Sequence, residues 1–176
     1  MKTLVRRGDV RSAIQRADEL GKRAEYLACS LGGELLGIDI GEIVEILKPL
    51  PITEVPRSNA DVVGVMTVRG RLVTVLDLRR RLRLPKPFVM DRKSRILLVM
   101  AGDEEVGLVV DEIFQVYRFS DGEIEPPESL GADAPPYVVG MARPSPPRSL
   151  EHDDPSREQV AGPVIVLLNL HPLLSE

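Results

Sequence analysis

LGIDIGEIVEI, residues 36–46, returns seventy positions later as VGLVVDEIFQV, residues 106–116. Two further blocks recur in the same order. DVVGVM (61–66) matches YVVGMA (137–142), and LVTVLDL (72–78) matches VIVLLNL (164–170). Three blocks repeating in order mark an internal duplication of one small unit. The offset between copies grows along the chain. Six residues are gained between the first two blocks and sixteen between the second and third, so a tight turn in the first copy becomes a long excursion in the second.

Each unit reads as β. In YLACSLGGELLGIDI two apolar runs meet at Gly32-Gly33, a dipeptide suited to the positive φ angles of a two-residue hairpin turn. EIVEIL is too short to classify by period, and Asp39 ahead of it is a candidate helix cap. Pro49, Pro51 and Pro56 break the chain. Then VVGVMTV and RLVTVLDL predict strands around Arg69-Gly70. With about five strands per unit and no regular helical alternation, the expected architecture is mainly β, two packed five-stranded barrels. Gly37, Gly64, Gly107 and Gly140 fall at matching points and are expected at bulges or sharp bends.

Two segments stand outside this pattern. In residues 1–24, Asp9 is placed to cap a short amphipathic helix with Val10, Ala13, Ile14, Ala17 and Leu20 on one face and Arg11, Arg16 and Lys22 on the other. The second excursion, RPSPPRSLEHDDPSREQVAGP (143–163), is rich in Pro, Ser and charge and is expected to be a loop insertion.

Composition narrows the function classes. The 176 residues carry a formal net charge of −4, with no Trp, three Tyr and three Phe. An acidic chain with so few aromatics argues against nucleic-acid binding by stacking, although Arg79–Arg83 keeps a basic-patch β-barrel module as an alternative. Those arginines read as a solvated strand end or as a contact for an acidic partner, and Arg71 as a water-facing strand residue. Cys29 alone predicts a buried structural thiol. Neither a secretory leader nor a membrane span is legible, which predicts a cytoplasmic location. His152 and His171 are not clustered with other ligands, so no metal is expected. Carboxylates such as Asp39, Glu42, Glu45, Asp111 and Glu112 form no recognisable catalytic set, and no phosphate-binding glycine loop is present, so neither an enzyme nor a cofactor is expected.

YLACSLGGELLGIDIGEIVEI, GVMTVRGRLVTVLDLRRRL, RILLVMAGDEEVGLVVDEIFQVYRFSDGEIEPP and YVVGMA followed by VIVLLNLHPLL together resemble the CheW family of chemotaxis coupling proteins, over about residues 25–174. The resemblance implies two five-stranded SH3-like barrels and a non-enzymatic scaffold that couples the cytoplasmic tip of a chemoreceptor to the regulatory domain of a CheA-type histidine kinase. It implies a receptor-coupling role for Arg69, in a hairpin reading Thr67-Val68-Arg69-Gly70 where the family has Asn-Leu-Arg-Gly. It places Ile40, Ile43, Ile96 and Val106 in a receptor groove between the barrels, and Glu45 near the kinase contact. The long 143–163 loop departs from the family and would block or re-specify one kinase-type interface; the alternative reading is a divergent coupler that binds receptor but not kinase and limits array assembly.

Overall fold

The structure is a computed structural model describing residues 23–85, 88–131, 133–144 and 162–175. The expected N-terminal helix, most of the 143–163 loop and His152 lie outside the described residues.

The first copy begins with β1 (Ala24–Leu31) and β2 (Glu34–Asp39). They are joined at Gly32 and Gly33, whose φ angles of 63° and 95° suit the mirror-image turn that follows the twist of the strands. Asp39 caps as expected, but only a single 3₁₀ turn over Ile40–Glu42, by accepting the Gly41 N–H at 2.8 Å. β3 (Ile43–Leu47), β4 (Val62–Val68) and β5 (Arg71–Leu76) follow. The second copy supplies β6 (Arg95–Ala101), β7 (Glu104–Val110), β8 (Glu112–Phe119), the short β9 (Ile124–Glu125), β10 (Val138–Ala142) and β11 (Ile165–Leu168). A short helix, α1 (Leu170–Leu174), ends the described fold.

The copies do not fold as two consecutive barrels. One sheet runs β8-β1-β2-β11-β10-β9 and the other β3-β6-β7-β5-β4. The leading hairpin of each copy therefore joins the trailing strands of the other. Two parallel ladders make the exchange, Leu36 opposite Val166 in one and Thr74 opposite Val106 in the other. These are equivalent pairs under the repeat. Each sheet curves around its own core, Met66, Val73, Ile96 and Leu98 in one and Tyr26, Ala28, Ile165 and Leu167 in the other. A third and larger core fills the space between the sheets with Leu27, Cys29, Leu31, Leu97, Val99 and Leu108.

That layering explains the glycines. The ladders shift register at Gly64 and Gly140, as expected of bulges, and a Cβ at either would strike the carbonyl oxygen of Thr53 or Glu125. Gly37 and Gly107 are not bulges. Their register is unbroken, and a Cβ would lie 2.6 Å from Leu167 Cδ2 or 2.9 Å from Ile96 Cγ2. Absent side chains there let the barrel cores close.

The Arg79–Arg83 cluster is not a solvated strand end. Arg79 is buried, with its guanidinium 2.8 Å from Asp77, paired also with Asp111, and 5.1 Å from the centre of the Phe88 ring. Asp111 uses its other oxygen to accept the Gly32 N–H at 2.7 Å. Arg81 bonds Asp61 and the Leu173 carbonyl of α1. Only Arg80 and Arg83 face water. The cluster turns inward because the turn after β5 crosses from one barrel to the other, where carboxylates of both copies meet.

Three predictions follow from this packing. Arg79→Met leaves Asp77 and Asp111 without their cation and is expected to cost about 3–5 kcal/mol in urea unfolding, a loss that adding Asp77→Asn and Asp111→Asn should partly recover. Burial pushes the Cys29 thiol up to about 12, so the native protein should leave a disulfide reagent unreacted at pH 8 and react with one thiol per chain after denaturation. Burial also raises the Glu42 carboxyl, which accepts the Leu170 N–H at 3.3 Å; that bond and His171 pull it down while Asp39 raises it. A carboxyl raised in the folded state contributes stability that is complete at acid pH and declines as pH rises through its folded value. Glu42→Gln should therefore flatten the decline in thermal midpoint between pH 4 and pH 7 without removing the acceptor for Leu170.

Candidate functional site

The β4–β5 hairpin carries Arg69 at its tip. Val68 and Arg71 pair across the turn, leaving Arg69 and Gly70 as a two-residue loop with φ of 48° and 79°. A left-handed conformation is unfavourable for a residue with a Cβ, and the strand pairing on both sides imposes it here. The Arg69 side chain is 69% exposed, and its Nη2 donates to Glu45 of β3 at 2.9 Å. Because β3 and β4 are the two edges of the same sheet, the bond runs between opposite ends of the ladder as the sheet curls round. Arg71 faces water as its alternation predicts and bonds Glu105 at 2.8 Å.

Around this pair the expected site residues divide. Ile40 and Ile43 lie at the rim of the central core, half-buried and presenting part of their surface. Ile96 and Val106 do not line a groove. Ile96 is 0% exposed inside the β3–β7 barrel, and Val106 is buried in the central core. The reason is that β6 is covered on both faces, Ile96 and Leu98 pointing into the barrel and Leu97 and Val99 between the sheets. A continuous run such as ILLV (96–99) in a strand carries that meaning. The space between the barrels is filled.

Reading the sequence alone misses the outward face of β3. Val44 and Ile46 alternate with the half-buried Ile43, Glu45 and Leu47 and are exposed on a free strand edge, beside the ion pair. Leu72, one residue beyond Arg71, is 76% exposed. Its signal was present, since period two sets Leu72 and Thr74 opposite the buried Val73 and Val75. In EIVEIL the alternation is hidden by apolar residues on both faces. Among the described residues no three His, Cys, Asp or Glu side chains gather as a metal-binding group, and no helix is long and apolar enough to cross a membrane. The site offers an exposed cation, its carboxylate partner and apolar residues on an open edge. That is the composition of a protein-docking rim.

Comparison with known proteins agrees with this geometry. A family model described as a CheW-like domain matches residues 25–176. The Chemotaxis protein CheW of Bacillus subtilis is 35% identical over 116 residues, 65% of this chain and 74% of that protein. The Helicobacter pylori protein of the same name is 29% identical over 131 residues, 74% of this chain and 79% of that one. The crystal structure of the scaffolding protein TtCheW from Thermoanaerobacter tengcongensis matches with a TM-score of 0.68 at 26% identity, covering 86% of this chain and 88% of that one. With its interleaved duplication and a family match from β1 to α1, the chain belongs to the CheW-like domain family.

Proposed function

We propose that this chain is a non-enzymatic cytoplasmic scaffold that couples the tip of a chemoreceptor to the regulatory domain of a CheA-type histidine kinase. The observation that carries the proposal is the bond between Arg69 and Glu45. It joins the residue that family resemblance ties to the receptor with the residue it ties to the kinase. An exposed pair of this kind contributes about 0–1 kcal/mol to folding, so a partner can replace it at little cost. An acidic group on the receptor tip that takes over Arg69 releases Glu45 beside Val44 and Ile46, altering the charge on the β3 edge that the kinase meets. Ile40 and Ile43 supply the apolar part of the receptor surface, with Val106 behind them in the same core. The scaffold performs no chemistry in this reading. It holds two partners in register, so that a receptor rearrangement shifts the population of kinase conformations.

Calorimetric titration with a receptor tip and, separately, a kinase regulatory domain from the same genome tests the proposal. Both should bind. Arg69→Ala should weaken the receptor step about tenfold, or about 1.4 kcal/mol, and Ile46→Asp the kinase step by at least as much. Exchanging the charges, Arg69→Glu with Glu45→Arg, should not restore receptor binding, because the receptor reads the cation at the hairpin tip. Failure to bind either partner across several receptor and kinase pairs would overturn the proposal.

A further inference from the structure

The duplication extends to the turns. Gly102, between β6 and β7, is the repeat counterpart of Gly32, between β1 and β2, and their left-handed φ angles are 62° and 63°. Their surroundings differ. A Cβ on Gly32 would lie 3.2 Å from Leu84, which covers that turn and packs on the central core. A Cβ on Gly102 would meet no described atom within 4 Å. The open space belongs to a cleft of about 310 Å³ lined by Met100, Ala101, Gly102, His171, Leu174 and Ser175. Under the repeat, His171, Leu174 and Ser175 stand where the first copy has Arg79, Leu82 and Arg83. In the sequence the counterpart of Leu84 is Glu176, a charged residue outside the described ones.

We infer that this cleft takes a basic–leucine segment of a partner protein, as the first copy takes its own Arg83-Leu84. Shape supports the occupant. Met100 and Leu174 give a leucine side chain apolar walls, and Ala101, in the place of Leu31, leaves the second cleft wider than the first. Backbone chemistry supports it too. The Arg79 carbonyl accepts the Leu84 N–H at 2.8 Å, whereas the counterpart carbonyl of His171 accepts the hydroxyl of Ser175, an exposed side chain that a peptide N–H can displace. Charge selects the flanking residue. Gly33-Glu34 at the first turn becomes Asp103-Glu104 at the second, both exposed, so the open cleft has one carboxylate more at its lip. Glu105 beside them is bonded to Arg71. A cation preceding the leucine, as Arg83 precedes Leu84, suits that acidic lip. The inference stands on the repeat and does not require the receptor or kinase reading.

NMR titration of the full-length protein with the blocked peptide RLRLP, the sequence of residues 81–85, tests the inference. Amide shifts should centre on residues 100–104 and 171–175 with a Kd of about 1 mM, as one buried leucine and one exposed ion pair allow. The peptide RLRSP should bind about tenfold more weakly, and Met100→Lys should weaken RLRLP by a similar factor. Asp103→Lys with Glu104→Lys should also weaken RLRLP and should bind RLELP in its place. All three positions are exposed, so the thermal midpoints should match that of the unaltered chain. Shifts centred on residues 30–34, where the peptide would replace the chain's own Leu84, overturn the inference. So do equal affinities for RLRLP and RLRSP, or no shifts at about ten times the expected Kd.

Discussion

One buried guanidinium ties the repeats together. Arg79 leaves the first copy at the turn after β5 and meets Asp77 of its own copy and Asp111 of the other. Asp111 in turn holds the Gly32 N–H at the β1–β2 turn. A cation withdrawn from water is tolerated only where anions and hydrogen-bonding groups converge on it, and here they converge from three strand ends. The network joins the turn after β5, the residue after β7 and the β1–β2 turn.

Arginines of one short stretch thus serve opposite ends. Arg69 stands at a hairpin tip, held there by a backbone conformation that strand pairing enforces, and its bond to Glu45 is exposed and exchangeable. Arg79, ten residues on, has lost its water and cannot exchange partners without opening the core. Burial separates the two roles. The same carboxylate chemistry makes a replaceable contact at the rim and a fixed one between the barrels.

Much of the fold was legible. The recurrence of three blocks, the Gly32-Gly33 turn and the strand runs flanking Arg69-Gly70 each carry local signals of pattern or backbone angle, and they led to a mainly β, duplicated domain. Arg69 was legible as a tip residue for the same reason. Ile96 and Val106 were misplaced because an apolar residue in a strand covered on both faces looks like one lining a groove. Arg79 was misplaced because its partners, Asp77 apart, lie far along the chain. Val44 and Ile46 escaped notice because edge position is a property of the sheet and not of the strand.

By itself the sequence determined most of the strands, the duplication, the family and an acidic, aromatic-poor composition, since each depends on neighbours along the chain or on the residue content. Only the tertiary structure decided that each leading hairpin joins the other copy's trailing strands. The two copies carry equivalent apolar faces, so pairing within a copy and pairing between copies satisfy the same period. The choice depends on contacts such as Arg79 with Asp111 and the fit of Met66 over Gly107, which join residues only after the chain has closed on itself.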